Sequence, residues 1–169
     1  MARISQATID ANKTRVQKKA VQKVQTGFRN SDRGQVISFC GTGKTRIAIN
    51  VIQKRKPKIA VICVPSLQLV AQWMEEFASL LPEAVILPVC SRMVDGHTPS
   101  EYGILNETTD SKVIREAVKS VGRKRLIIVS TYHSYDVVDA AWRRSDLPPI
   151  ELLVADEAHN TAGRVSKAF

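Results

Sequence analysis

Short apolar runs alternate along this chain with stretches in which apolar residues recur every three or four positions. That alternation restricts the fold more than any other feature of the sequence. Gln35 to Phe39, Lys58 to Val64, Ala84 to Val89, Arg125 to Ser130 and Ile150 to Ala155 read as strands. They are rich in β-branched residues and apolar on both faces, as strands buried in a parallel sheet are. Between them the spacing predicts helices. Lys44 to Lys54 carries Ile47, Ala48, Val51 and Ile52 along one side, and Ser66 to Leu80 carries Leu69, Val70, Trp73, Phe77 and Leu80. Ser111 to Val121 carries Val113, Ile114, Ala117, Val118 and Val121, with Asp110 placed as its cap. An earlier helix, about Thr14 to Phe28, sets Val16, Ala20, Val24 and Phe28 on a stripe among lysines. Repeated strand–helix–strand units predict an α/β fold, a parallel sheet sandwiched by helices with right-handed crossovers. Residues 91–109, with Gly96, Pro99 and Gly103 and few large apolar groups, read as an irregular excursion and not as a domain boundary.

At 169 residues, 44% hydrophobic and 24% charged, the chain has the make-up of one globular domain with a real core, which excludes disorder and fibres. No apolar run approaches the ~20 residues that a membrane helix needs. Asp10, Asn12 and Lys13 stand where a secretory signal would have its apolar centre, so a cytoplasmic protein with no membrane partner is expected. Charge is uneven: residues 1–60 hold fourteen lysines and arginines against Asp10 and Asp32, while the remainder is slightly acidic. A basic third suits a phosphate-rich partner through counterion release, and it equally suits a solubilising face. Cys40, Cys63 and Cys90 are too widely spaced for a metal knuckle or redox pair. Each ends an apolar run and reads as a buried free thiol.

The sharpest local pattern is Gly41-Thr42-Gly43-Lys44-Thr45, after a predicted strand and opening a predicted helix. Glycines there let backbone N–H groups turn inward around phosphate oxygens, and the helix N-terminus adds its partial positive charge. Lys44 can reach the β- and γ-phosphates, and the Thr45 hydroxyl can ligate Mg²⁺. The full phosphate-loop pattern has glycine at position 38, where this chain has Ser38. A second pattern, Asp156-Glu157-Ala158-His159, stands at the carboxyl end of an apolar run, where ligands bind in open α/β sheets. Asp156 there suits a hydrated Mg²⁺, and Glu157 can orient or deprotonate an attacking water. A strand-end acidic turn that caps the next element is the bland alternative.

Cys40-Gly41-Thr42-Gly43-Lys44-Thr45 and Asp156-Glu157-Ala158-His159 together resemble motifs I and II of the superfamily 2 DEAD/DEAH-box helicases and translocases, nearest to the restriction-enzyme-like branch of type I and III subunits. Val64-Pro65-Ser66-Leu67 through Gln68 to Gln72-Trp73 resembles motif Ia, and Ser130-Thr131-Tyr132-His133-Ser134 resembles the later backbone-contacting motif. Asn160-Thr161-Ala162-Gly163 is similar to the continuation of the DEAH box in that branch. The resemblance implies a RecA-like P-loop NTPase domain, the first of two, using ATP and Mg²⁺. By it, Cys40, Gly41, Thr42, Gly43, Lys44, Thr45 and Arg46 hold the nucleotide, and Thr45 and Asp156 take the metal. Lys44, Asp156, Glu157 and His159 form the catalytic set, His159 linking nucleotide state to other motifs or serving as a structural histidine. Pro65, Ser66, Gln68, Thr131 and Tyr132 lie along a nucleic-acid backbone, DNA ahead of RNA, without reading bases. Gln17 is similar to the adenine-reading glutamine, whose amide can pair with a base edge; the family's arginine three residues earlier is Thr14 here. A polar helix residue is the other reading of Gln17.

The implied function is ATP-driven movement on nucleic acid, with a second RecA-like domain supplied in cis or in trans. In this branch, the strand after the DEAH box inserts between the motif I strand and the DEAH strand. Phe169 comes before that strand and before the Ser-Ala-Thr motif, so a gap at the centre of the sheet is expected and residues 1–169 read as the amino-terminal part of a longer or truncated protein. Another chain or a rearranged strand order would also fill the gap. The competing function is a truncated or accessory module that binds nucleotide or nucleic acid without catalysis. A kinase or GTPase fits less well, because no base-reading Asn-Lys-x-Asp segment is present. Trp73 and Phe77 fit a core stripe better than a base-stacking platform, and Trp142 fits a partly buried helix end.

Overall fold

The computed structural model describes residues 6–39, 41–91, 103–143 and 146–158. The chain divides into two compact units, residues 1–55 and 56–169. In the first, α1 (Gln6–Gly27) packs on α2 (Lys44–Arg55). Just beyond α1, the Phe28 ring lies 4.5 Å from the Arg55 guanidinium, a cation–π contact that ties the two helix ends. Ile47, Ile49, Val51 and Ile52 of α2 are buried, as the apolar stripe predicts for three of them.

The first expected strand is corrected here. Residues 35–39 form no strand, and Ile37 and Phe39 are 87% and 88% exposed. The composition suits a buried parallel strand, but backbone N–H and C=O groups in such a strand need a neighbour's. Among the described residues no strand pairs with this segment.

The second unit holds β1 (Ile59–Val64), α3 (Leu67–Leu80), β2 (Val85–Val89), α4 (Ser111–Ser120), β3 (Leu126–Thr131), α5 (Tyr135–Trp142) and β4 (Leu152–Ala155). Its four strands form one sheet in the order β2-β3-β1-β4, every pair parallel. β4 pairs directly with β1, the strand that leads into Pro65 and Ser66, Ala60 opposite Leu152 and Cys63 opposite Ala155. Among the described residues no strand pairs with the other edge of β4, the side on which the inserted strand is expected.

Alternation along the strands separates two layers. Ile59, Val61 and Cys63 of β1, Leu126 and Ile128 of β3, and Leu87 and Val89 of β2 meet Ile114, Ala117 and Val118 of α4 and Tyr135, Val138 and Ala141 of α5. Ala60, Ile62, Val64, Ile86, Ile127 and Val129 are fully buried as well. They point to the opposite face, where α3 lies over β1, β2 and β3 with Val70, Trp73, Met74 and Phe77 buried. The expected caps are present: Ser66 Oγ accepts from Leu69 N–H at 3.3 Å, and Asp110 Oδ1 accepts from Lys112 N–H at 2.8 Å. The helix α5, preceded by one 3₁₀ turn at Tyr132–Ser134, was not legible in the sequence. Within the irregular excursion, Ile104 and Thr108 bridge to Ile86 and Val89 on the outer edge of β2, and residues 92–102, His97 among them, lie outside the described residues.

Cys63 and Cys90 are buried free thiols. Burial pushes the Cys63 thiol up to about 12. Burial and the nearby Glu107 push Cys90 up to about 11. Among the described residues no helix is long and apolar enough to cross a membrane.

Candidate nucleotide and nucleic-acid site

Parallel register brings three strand ends level. Val64 stands opposite Thr131 and Cys63 opposite Ala155, so the segments beginning at Pro65, Tyr132 and Asp156 leave the carboxyl margin of the sheet side by side. Segments far apart in the sequence become neighbours by this register alone. That margin is where open α/β sheets place their ligands.

Asp156 is held from four directions. Its N–H donates to the Cys63 carbonyl at 2.8 Å, which continues the β1–β4 ladder by one bond. The buried Trp73 indole N–H donates to Asp156 Oδ2 at 3.0 Å, and the Glu157 N–H donates to Oδ1 at 3.0 Å. The Tyr132 hydroxyl donates to the Asp156 carbonyl at 2.7 Å. Burial, with Cys63, Asp156 and Glu157 nearby, drives the Tyr132 phenol well above its ordinary value, so it remains a donor across the neutral range. Glu157 takes φ +52°, a left-handed conformation that costs a non-glycine residue roughly 1–2 kcal/mol. Such outliers gather where the surroundings over-determine the backbone.

The expected nucleic-acid residues divide. Ser66 and Gln68 are exposed and Pro65 is half-buried, at and just before the start of α3. Thr131 is only 7% exposed. Its Oγ1 accepts from Ser134 N–H at 3.2 Å and bonds the Ser134 hydroxyl at 3.1 Å, so the side chain closes the 3₁₀ turn. Tyr132 is half-buried with its hydroxyl on Asp156. Trp73 belongs to the core stripe as expected, but its polar edge reaches Asp156. Sequence reasoning missed that, because the acceptor lies 83 positions away. The one available signal was the residue type, since a buried indole N–H needs an acceptor.

The glycine loop sits in the first unit. Gly41 and Gly43 take φ +76° and +82°, backbone that glycine alone adopts at little cost. The Gln17 amide donates to the Thr42 carbonyl at 2.9 Å. A Cβ built on Gly43 would lie 2.5 Å from that same amide nitrogen, so Gly43 is required for space as well as for φ. The Thr42 hydroxyl donates to the Phe39 carbonyl at 2.7 Å and bonds the Ser38 hydroxyl. Ser38, standing where the phosphate-loop pattern has glycine, thus joins the loop's own bonding. Lys44 and Thr45 open α2, both half-buried, and Arg46 is exposed. Cys40, His159 and residues 160–169 lie outside the described residues. In the second unit the Asp156 carboxyl group is a hard oxygen donor of the kind that suits Mg²⁺. Among the described residues each Asp156 carboxyl oxygen accepts a protein hydrogen bond and keeps lone-pair capacity.

Comparison with known proteins agrees with this geometry. Residues 11–168 match the family of the type III restriction enzyme res subunit. Protein 109L of Invertebrate iridescent virus 3, assigned as a helicase, is 31% identical over 98 residues, which span 56% of this chain and 30% of that protein. A nuclease-deletion mutant of the Type ISP restriction-modification enzyme LlaGI, solved in complex with a DNA substrate mimic, superposes with a TM-score of 0.75 at 26% identity. That match covers 85% of this chain and 15% of LlaGI. The chain therefore spans less than a third of either relative. With the parallel sheet, the motif order and the glycine loop in place, the chain belongs to the type III restriction res-subunit family and carries the first RecA-like, nucleotide-binding module of a superfamily 2 helicase or translocase.

Proposed function

We propose that this chain is the ATP-binding portion of a DEAH-type motor that hydrolyses MgATP to move along DNA. The observation that supports this reading most is the sheet margin, where Asp156 and Glu157 leave β4 level with residues 65–68 and 131–132. An acidic turn bonded to both candidate backbone-tracking segments fits an ATPase coupled to a polymer track. The DNA substrate mimic bound by LlaGI favours DNA over RNA.

In this reading the backbone N–H groups of residues 41–45 cradle the phosphates, and Lys44 neutralises the β- and γ-oxygens. Thr45 and Asp156 hold Mg²⁺, which when bound offsets charge on the phosphate oxygens. Glu157 orients a water in line with the γ-phosphorus and accepts its proton as the new O–P bond forms. The bond from the γ-phosphorus to the β–γ bridging oxygen breaks, and ADP leaves. Gln17 turns from the Thr42 carbonyl to the adenine edge. His159 relays nucleotide state, and a second RecA-like domain, in cis or in trans, completes the site with an arginine. Ser66, Gln68 and Pro65, with the backbone at Thr131 and Tyr132, lie against phosphodiesters without reading sequence.

The test is MgATP binding and turnover by the 169-residue chain, with and without single- and double-stranded DNA and RNA, beside Lys44→Ala and Glu157→Gln. MgATP binding with slow turnover, weakened by Lys44→Ala, is the expected result. Equal MgATP affinity in Lys44→Ala overturns the phosphate-loop assignment, and unchanged turnover in Glu157→Gln overturns the water-positioning role. Turnover as fast as a complete motor's would show that the chain builds a whole site without a second domain.

A further inference from the structure

We infer that Trp73 and Tyr132 are positioning residues for the acidic turn, the indole N–H fixing the Asp156 carboxyl group and the phenol fixing the Asp156 carbonyl. Each candidate backbone-tracking segment is thereby bonded directly to the residue that would hold the metal. This rests on the ATPase reading above and adds to it the side chains that hold the metal-binding residue in place.

The geometry is specific. Trp73 is 1% exposed, and its ring packs on Phe77 with centroids 5.4 Å apart, a role that any large aromatic would fill. Only the indole adds a donor, and that donor ends on Oδ2 at 3.0 Å. That bond ties a buried ring, which has no freedom to turn, to one oxygen of the carboxyl group. The Glu157 N–H occupies Oδ1, so donors on both oxygens define the plane of the carboxyl group. Tyr132, by contrast, grips the backbone at 2.7 Å, immediately before the left-handed Glu157. The two anchors belong to different elements. Trp73 lies two turns into α3, whose N-cap is Ser66, and Tyr132 opens the turn closed by Thr131.

The chain has two tryptophans, so Trp142→Phe leaves Trp73 as the sole tryptophan, a fluorescent reporter that needs no turnover. In that background MgATP is expected to shift Trp73 emission, ATP in EDTA is not, and Asp156→Asn is expected to abolish the shift. Trp73→Phe keeps an aromatic ring and removes the donor. By calorimetry it is expected to raise the Mg²⁺ concentration for half-maximal ATP binding about tenfold, the usual scale for losing a group that orients a metal ligand. Its affinity for ATP in EDTA stays that of the wild type. Phe77→Leu is the packing control: it lowers thermal stability and leaves the Mg²⁺ requirement unchanged. Tyr132→Phe moves the requirement in the same direction as Trp73→Phe. A wild-type Mg²⁺ requirement in Trp73→Phe, or an equal shift in Phe77→Leu, overturns the inference. ATP binding with unmoved Trp73 emission overturns it while sparing the proposed function. Failure of the unmodified chain to bind MgATP removes both.

Discussion

Residues 35–39 and β1 are apolar runs of similar make-up with opposite fates. Every residue of β1 is buried, with β3 and β4 on its two sides and helices on both faces. Residues 35–39 carry three β-branched or aromatic groups in five against four in six in β1, yet Ile37 and Phe39 stand almost wholly in solvent. Propensity does not separate them. Strand preference largely measures packing against neighbours, and a run with no ladder partner has nothing to express it on. The sheet is held by buried apolar area, the glycine loop by a few hydrogen bonds and two positive φ angles.

The strongest test deletes the same atoms from both regions. Ile128→Ala, in a fully buried position of β3, is expected to cost about 2–5 kcal/mol in urea unfolding. Ile37→Ala is expected to change stability by less than about 0.5 kcal/mol. A loss at Ile37 approaching that at Ile128 would mean that residues 35–39 are buried in solution and break the contrast.

Gly43→Ala probes the loop's dependence on backbone form. A left-handed alanine costs roughly 1–2 kcal/mol, and its Cβ would also meet the Gln17 amide. The unfolding free energy should fall by more than about 1 kcal/mol in urea, with partial recovery in Gly43→Ala/Gln17→Ala, where the clash is gone and the strain remains. No recovery would assign the whole effect to φ.

The third test uses pH on the sheet. Burial raises the Cys63 thiol from 9.0 to about 12, so the folded state keeps a proton that the unfolded chain releases first. This contribution is complete below about pH 9 and is lost as pH rises toward 12, at roughly 1.4 kcal/mol per pH unit. Tyr132 and Tyr135, raised chiefly by burial, act in the same direction. Stability followed from about pH 8 to about pH 11 should fall more steeply as the range is climbed, and Cys63→Ala should flatten that fall. Identical slopes would place the thiol in contact with water.

The smallest effect is expected where α2 ends. Lys56 takes φ +52°, the conformation that glycine usually supplies just past a helix. Lys56→Gly should raise the unfolding free energy by about 0.5–1 kcal/mol, and a loss would show that the lysine side chain outweighs its strain.

Legibility in the sequence divides along the same line. β1, β2 and β3 were legible because strands covered on both faces carry unbroken apolar runs, and α2, α3 and α4 because a buried stripe recurs at helical spacing. In α1 the helix is present, but it starts at Gln6 rather than near Thr14, Val16 of the expected stripe is 48% exposed, and Val21 is buried instead. Gly41 and Gly43 were legible because a loop that turns inward takes positive φ, and at Gly43 it leaves no room for a Cβ as well. The loss of residues 35–39 from the sheet was not, since a strand's partner is absent from its own composition. The helix α5 is only eight residues and comes after β3 with a single turn between, too short to declare a period. The Trp73 indole, the Gln17 amide and the Ser38 hydroxyl each find partners that local pattern does not name. Gln17 was expected to face adenine, and its amide rests on Thr42.

The pairing of β4 with β1 carries a consequence best put as parity. Side chains of a strand alternate faces with a period of two, so the count of residues between the start of β4 and Asp156 decides which way the acidic turn opens. Removing one residue from residues 152–155 would reverse the facing of everything beyond. Removing two would restore it and draw the carboxyl group back by about 6.6 Å, out of reach of Trp73. The spacing upstream of Asp156 and Glu157 is thus fixed as odd or even before it is fixed in length. Insertions there fall into two classes, those that invert the site and those that only displace it.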